Sequence, residues 1–318
     1  MMHCVMLDGY TMDPGDLSWG PLEELAELTV YDRTPPEQTA ERIGTAELVL
    51  TNKTVLDRAV FEACPGIRYV GVTATGYNVV DLAAAKEHGV VVTNVPAYST
   101  EAVAQHVFAL LLELTDHVGL HSDSVRAGKW QSAPDFCYWE APMMELFGKT
   151  FGIVGYGRIG QAAARRAEAF GMEVLVSSSH QIRETEHIHA APLERVLAES
   201  HVLSLHCPLT EERRGFIDRK TIGKMRDGVL LINTARGPLI DEPALYEALC
   251  SGKVGGAALD VLTEEPPRSG SVLIGAPNCI ITPHQSWLPR ETRARLMGIV
   301  ADSLRAFLAG KPIHVVEG

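Results

Sequence analysis

The segment GIVGYGRIG (152–160) limits what this chain can fold into more than any other stretch of its 318 residues. An apolar run, Phe151–Val154, leads into three glycines spaced G-x-G-x-x-G, and a helix-compatible stretch begins near Arg158. In a strand–turn–helix each glycine has its own reason. Gly155 permits the tight turn, Gly157 lets the backbone approach a pyrophosphate, and Gly160 lets helix and strand pack closely. The free N–H groups at the helix N-terminus then present a partial positive charge to phosphates. Gly155, Gly157, Arg158, Ile159 and Gly160 are therefore expected to hold a dinucleotide rather than to form a merely structural turn.

Apolar runs alternate with helix-compatible stretches on both sides of that turn. Before it, CVMLD, LTVYD, AELVLTN, IRYVGVT and VVVTNVP read as strands, with helices expected over 22–28, 36–43, 57–63 and 79–88. Such alternation implies a parallel sheet covered on both faces. After it, KTFGIVG, MEVLVSS, HVLSLHC, GVLLINT, VGGAALDV and NCIITPH repeat the pattern. Between the two sets, Val103, Val107, Leu110, Leu111 and Leu114 recur at helical spacing and predict a helix bridging two domains. Residues 119–148, rich in aromatics and prolines, read as irregular. A last helix, 289–308, is expected to return to the first domain. The fold class is α/β. A nucleotide-binding domain at 99–287 is inserted in a smaller doubly wound domain made of 1–98 plus 288–318, with a cleft between them.

The charge balance narrows the partners. With 28 Lys and Arg against 40 Asp and Glu, the net charge of −12 argues against nucleic acid or anionic membranes. No stretch approaches the roughly 20 apolar residues of a membrane span. The N-terminus MMHCVMLDGY has no basic region and no long apolar run, so it reads as a buried strand rather than a signal peptide, and a cytoplasmic protein is expected. Six cysteines without a C-x-x-C pair are expected as reduced thiols, most of them in the core. His187 and His189 are two residues apart with no third ligand evident, and read as a solvated loop rather than a metal site.

Three residues carry the chemistry: Arg236 in NTARGPLID, Glu265 in LDVLTEEP and His284 in ITPHQSW. A guanidinium can hold a carboxylate and polarise a carbonyl, an imidazole can supply a proton, and a carboxylate can keep that imidazole charged and correctly turned. Taken singly, Arg236 could be a surface arginine, Glu265 an exposed turn residue and His284 a packing histidine. Their place at strand ends after a dinucleotide turn favours a hydride transfer on a 2-keto acid.

The strand after the glycine turn ends differently from an NAD-preferring site, which carries Asp or Glu there for the adenosine ribose hydroxyls. The position 18 residues after Gly160 is Ser178, followed by Ser179 and His180, with Arg183 close behind. Serine does not repel a 2′-phosphate, and hydroxyls with His180 or Arg183 can receive one. Either NAD or NADP fits this reading.

Together GYGRIG, LHCPLT, INTARGPLID, ALDVLTEEP and ITPH resemble the D-isomer-specific 2-hydroxyacid dehydrogenase family, over essentially the whole chain. The resemblance implies a Rossmann domain inserted in a flavodoxin-like domain, and a homodimer formed through the nucleotide domains around segment 100–148. VTATGYNVVDL, the FCY of PDFCYWEAP and the tryptophan of PHQSW are most similar to the glycerate dehydrogenase branch, which implies interconversion of hydroxypyruvate and D-glycerate. By resemblance His284 is the acid/base, Glu265 its hydrogen-bonded partner, and Arg236 the ligand of the substrate carboxylate and carbonyl. Asp260 is implied at the nicotinamide carboxamide, and His206, Cys207, Pro208, Thr234 and Ala235 around the cofactor's ribose and ring, with Ser178 and Ser179 at its adenosine end. In the smaller domain Thr75 and Gly76 match a turn whose amides bind the carboxylate, and Lys53 adds charge nearby. No metal is implied.

Rival readings differ in substrate or in class. Glyoxylate, pyruvate or a bulkier 2-keto acid keeps the same chemistry. A 3-phosphoglycerate dehydrogenase with a regulatory domain is disfavoured because little chain follows the last helix. A cofactor-sensing corepressor built on this fold is disfavoured because the chain shows no extended tails or partner motif. A purely structural protein leaves three matched residues unexplained. Tyr138 and Trp139 are read either as site residues or as packing at a dimer contact.

Overall fold

The apolar runs of the first hundred residues become five strands: β1 (His3–Met6), β2 (Glu27–Val30), β3 (Leu48–Thr51), β4 (Tyr69–Val72) and β5 (Val91–Thr93). They pair in the order β2-β1-β3-β4-β5, every pair parallel, which is the flavodoxin-like order. This computed structural model describes residues 1–316. It divides into one unit of Met1–Ser99 with the chain from Trp287 onward, and a second of Thr100–Ser286.

In the first unit, alternate residues of each strand enter opposite cores. Val5, Val49 and Val70 pack with Phe61 and Ala84, while Cys4, Met6, Leu50 and Tyr69 pack with Leu22, Leu296 and Leu304. Both faces being covered, the strands are continuously apolar rather than alternating. Full burial of a side chain such as Leu50 contributes about 1.5–3 kcal/mol. The helices are α1 (Gly20–Glu23), α2 (Thr39–Ile43), α3 (Arg58–Ala63) and α4 (Leu82–Glu87). Asp57 and Asp81 cap α3 and α4 by accepting from the amides of Val60 and Ala84, each cap contributing about 1 kcal/mol. α1 is a single turn rather than the helix expected over 22–28, because the chain already enters β2 at Glu27. The carboxy-terminal helix Arg290–Leu308 belongs to this unit. Its buried Arg293 binds both carboxylate oxygens of Asp16 at 2.7 Å and the carbonyls of Met12 and Leu288, so the loop before α1 is tied to that helix.

The second unit runs α5 (Thr100–Asp116), α6 (Val118–Arg126), β6 (Thr150–Val154), α7 (Arg158–Ala169), β7 (Glu173–Ser177), β8 (Ile188–Ala190), α8 (Leu193–Glu199), β9 (Val202–Leu205), α9 (Arg219–Lys224), β10 (Val229–Asn233), α10 (Glu242–Ser251), β11 (Val254–Leu259) and β12 (Cys279–Ile281). Its seven strands are ordered β12-β11-β10-β9-β6-β7-β8, all parallel. Helix α5 packs on this sheet, with Val107 and Leu111 in one core with Phe151 and Ile232. The opposite core gathers Leu203, Leu231, Leu245 and Leu259.

Two further details depart from the sequence expectation. The start of the stretch read as irregular is helix α6. The segment holding His187 and His189 is not a loop but the edge of the sheet: His189 lies in β8, and His187 donates from Nδ1 to Glu173 Oε1 at 2.9 Å. That run is too short and polar for its period to announce a strand. Of the six cysteines, Cys4, Cys64 and Cys207 are buried, Cys279 is half-buried, and Cys137 and Cys250 are exposed; all six are free thiols.

The inner strand β6 needs a glycine in its middle. A Cβ on Gly152 lies 2.0 Å from Ser200 Oγ and 3.0 Å from Val196 Cγ1, so the end of α8 sits directly against the strand. Gly152→Ala is expected to destabilise the protein by about 1–3 kcal/mol through overpacking, read as a lowered urea midpoint at unchanged slope.

Candidate active site

Every candidate residue of the second unit leaves the carboxyl end of a strand. Gly155 follows β6, Ser178 follows β7, His206 follows β9, Thr234–Arg236 follow β10, Asp260 and Glu265 follow β11, and His284 follows β12. Because all seven strands are parallel, these loops share one edge of the sheet. The strand order reverses between β6 and β9, where ligands bind in open α/β sheets.

Each glycine of the turn has its own steric environment. Gly155 has φ +96°, and a Cβ on it lies 2.7 Å from Cys207 N, so the turn is pressed against the β9 loop. A Cβ on Gly160 lies 2.3 Å from the Gly155 carbonyl oxygen. Gly157 has nothing within 4 Å of its Cβ position, which leaves open space before the first amides of α7. A cavity of about 400 Å³ opens there, lined by Gly155–Gly157, Ser178–His180 and residues of the loop from His206 to Arg213. Arg183 is not among its lining residues; His180 is. Desolvation in this wall pushes His206 down to about 4, so its imidazole, bonded to Ser204 Oγ at 2.9 Å, is neutral.

The second half of the site is built on backbone clamps. Asn233, buried at the end of β10, accepts from Ala235 N at 3.0 Å and donates to the Arg236 carbonyl at 2.9 Å. Arg236 itself is exposed, and its Nη1 donates to the Ala235 carbonyl at 2.7 Å. A Cβ on Gly237 lies 1.9 Å from the Leu262 carbonyl oxygen, so the arginine loop lies flat on the loop that carries Glu265. There, Glu265 Oε1 accepts from Leu262 N at 3.0 Å and Oε2 accepts from His284 Nδ1 at 2.6 Å. The structure thus joins Glu265 and His284 directly, and brings Arg236 toward them only through the backbone at Gly237. Next to Arg236, the Thr234 hydroxyl is buried with no hydrogen-bond partner among the described residues.

His284 has φ +51°, a left-handed conformation uncommon outside glycine and asparagine. Its amide donates to the carbonyls of Asp260 and Thr282. The Asp260 carboxylate, fully enclosed, accepts from Thr282 Oγ1 at 2.6 Å and from the amides of Gln285 and Ser286 at 2.9 Å. Burial raises the Asp260 carboxyl, but bonds from His106, Thr282, Gln285 and Ser286 overcome it and hold the group down at about 2. In this structure Asp260 therefore anchors the loop of His284. His106 on α5 takes part, donating from Nε2 to Thr282 Oγ1 at 3.1 Å. Sequence reasoning missed His106; its one signal is an imidazole beside Val103 and Val107 on an apolar helix face.

In the first unit, Lys53 and Thr75 follow the carboxyl ends of β3 and β4. Asp8 accepts from the amides of Asn52, Lys53 and Thr54 at 2.7, 2.5 and 2.8 Å, which fixes the Lys53 loop and leaves its side chain exposed. Thr75 is held by its hydroxyl on the Val95 carbonyl at 2.9 Å and by Asn94 on its own carbonyl at 2.8 Å. The amides of Thr75 and Gly76 donate to no acceptor among the described residues.

Residues 108–286 match the family model of the D-isomer specific 2-hydroxyacid dehydrogenase NAD binding domain. The chain belongs to the D-isomer-specific 2-hydroxyacid dehydrogenases. A hydroxypyruvate reductase of Blautia hydrogenotrophica is 51% identical, covering 99% of this chain and all of that one. A glycerate dehydrogenase of Methylorubrum extorquens is 40% identical over 92% of each chain. Among solved structures, the TT0316 protein of Thermus thermophilus superposes with a TM-score of 0.86 at 34% identity, covering 99% of this chain and 100% of that one. The dehydrogenase is an oxidoreductase with a nicotinamide-dinucleotide site in its second unit. Its own residues fit that group: open space at Gly157, an unpaired hydroxyl at Thr234 and a cavity at the sheet's switch point.

The anchoring role of Asp260 has a measurable size. Asp260→Ala leaves two loop amides and Thr282 without their acceptor, and is expected to cost about 2–4 kcal/mol in urea unfolding at neutral pH. Because the folded carboxyl is depressed, that stabilisation is complete above about pH 4 and is lost as the pH falls toward about 2.

Proposed function

We propose that this dehydrogenase interconverts hydroxypyruvate and D-glycerate, with His284 as acid/base, Glu265 as its partner and Arg236 as the anchor of the keto acid. The observation that carries the assignment is the His284–Glu265 bond of 2.6 Å. It occupies Nδ1 and leaves Nε2, which makes no hydrogen bond among the described residues, as the nitrogen that exchanges a proton. An ionised Glu265 accepts from Nδ1–H, selects the tautomer and stabilises the charge that His284 carries before donation. When bound, the reduced nicotinamide supplies the hydride to the keto carbon. His284 Nε2–H gives its proton to the carbonyl oxygen, and takes it back from the hydroxyl in the reverse direction. Arg236 pairs with the substrate carboxylate and draws charge from the carbonyl, its planar fork suiting both.

The hydroxypyruvate assignment is supported by the names of the 51% and 40% identical relatives. The residues proposed for the cofactor are Gly155, Gly157, Arg158, Ile159 and Gly160 at the pyrophosphate, Ser178 and Ser179 at the adenosine end, and His206, Cys207, Pro208, Thr234 and Ala235 along its length. Asp260 acts on the nicotinamide end through the loop it anchors. Substrate binding is assigned to residues 1–98 plus 288–318 and nucleotide binding to 99–287. The unengaged amides of Thr75 and Gly76 support a carboxylate-binding turn in the first, with Lys53 adding charge.

A homodimer is also proposed. Its support is the cluster of exposed apolar side chains in one segment of the second unit, with Phe136 89%, Trp139 68% and Met143 60% exposed; on this reading Tyr138 and Trp139 serve the contact. No helix among the described residues is long and apolar enough to cross a membrane, and the proposed location is the cytoplasm.

Absorbance at 340 nm with hydroxypyruvate, glyoxylate and pyruvate tests the substrate assignment. Hydroxypyruvate is expected to give the highest kcat/KM, and a preference for another acid refutes the assignment. His284→Gln is expected to lower kcat by about 10²–10⁴-fold while dinucleotide affinity stays intact; near-normal turnover refutes its role. Arg236→Leu is expected to lower kcat/KM by about 10–100-fold, mainly through KM for the keto acid. Light scattering at micromolar concentration should give twice the chain mass, and a clean monomer refutes the dimer.

A further inference from the structure

The cavity read as the dinucleotide site is lined by a guanidinium, Arg213, that makes no ion pair among the described residues. Arg213 closes the one-turn helix Glu211–Arg213 after β9 and lines the same cavity as Ser178, Ser179 and His180 after β7. The next residue, Arg214, lies 3.8 Å from Glu211. Arg213 enters no ion pair among the described residues, and its guanidinium lies beside the thiol of Cys207. Burial pushes that thiol up, so it stays neutral and does not balance the arginine charge. Glu212, the one acid lining this cavity, is held mainly by the Thr210 hydroxyl and its own backbone, and the neighbouring Arg213 charge adds only a lesser attraction without an ion pair.

The facing wall is free of carboxylates. Ser178 Oγ accepts from His180 N at 3.0 Å, so a serine fixes the turn where an NAD-preferring chain carries an acid. In a chain of net charge −12, a half-buried guanidinium facing serines and a histidine inside a cavity, rather than pairing with one of 40 acids, is a site for an anion. We propose that Arg213, with Ser178, Ser179 and His180, receives the 2′-phosphate of NADP(H), and that the phosphorylated dinucleotide is the preferred one. The inference rests on the dinucleotide-binding reading of this cavity and names the group that discriminates. The guanidinium comes from the β9 loop, not from Arg183 on the β7 loop.

Isothermal titration of the intact chain with NADP⁺, NAD⁺ and adenosine 2′,5′-bisphosphate tests it without turnover. NADP⁺ is expected to bind at least about tenfold tighter than NAD⁺. Arg213→Thr is expected to weaken NADP⁺ and the bisphosphate by about 10–100-fold and to leave NAD⁺ within about twofold. Ser178→Asp, on the opposite wall, is expected to reverse the preference independently of how Arg213→Thr folds. Equal or tighter binding of NAD⁺ by the unaltered protein overturns the proposal, as does an Arg213→Thr loss shared equally by both dinucleotides. A loss of NAD⁺ affinity in Glu212→Gln also overturns it, since Glu212 is then the group that takes the ribose hydroxyls. If neither dinucleotide binds, the reading of the cavity falls with it. If the selective loss is seen but no 2-keto acid is reduced, the phosphate site stands and the substrate assignment falls.

Discussion

The enclosed carboxylate of Asp260 holds the reactive end of this site in place. It takes the loop amides after His284 and, with the Thr282 hydroxyl, leaves no freedom between the end of β12 and residue 286. That hold is what makes the left-handed backbone at His284 tolerable, since such a conformation costs about 1–3 kcal/mol unless its surroundings over-determine it. Turning the backbone there delivers Nδ1 to Glu265 and leaves Nε2 unengaged. His106 ties the same loop to α5. The imidazole proposed to move a proton therefore depends on a carboxylate held ionised: its pKa near 2 keeps it accepting well below neutral pH.

A second constraint is close approach of backbone to backbone. Gly155 on the β9 loop, Gly160 on Gly155 and Gly237 on Leu262 leave no room for a Cβ, so the β6 turn is pressed on the β9 loop and the β10 loop on the β11 loop. Gly157 differs, with open space around it. The same residue type thus serves packing at three positions and access at a fourth. Composition cannot separate these uses, and neighbours can.

Fold class was legible because both sheets are buried on two faces, which writes each strand as a continuous apolar run. Elements were misread where that signal fails. Leu22–Leu28 looked helical, yet α1 is one turn because Leu28 is needed in β2. The edge strand β8 was missed because IHA is short and half polar. Helix α6 hid in an aromatic-rich stretch since none of its residues is buried. Arg236, Glu265 and His284 could be picked out as a set because the motifs around them are specific. His106, Glu212 and Arg213 could not, since a histidine on a helix and charges in a loop are ordinary until a neighbour is known.

By itself the sequence determined two parallel α/β sheets, a glycine turn for a dinucleotide and three residue types matched to reduction of a 2-keto acid. Hydrophobic period and glycine placement are local properties, and they act within a few residues of the chain. Only the tertiary structure decided that Asp260 anchors the loop of His284, that Glu265 lies 2.6 Å from Nδ1, and that Arg213 lines the same cavity as Ser178. Those relations join residues tens of positions apart. They arise because parallel strands deliver every loop to one edge, where side chains distant in sequence become neighbours in space.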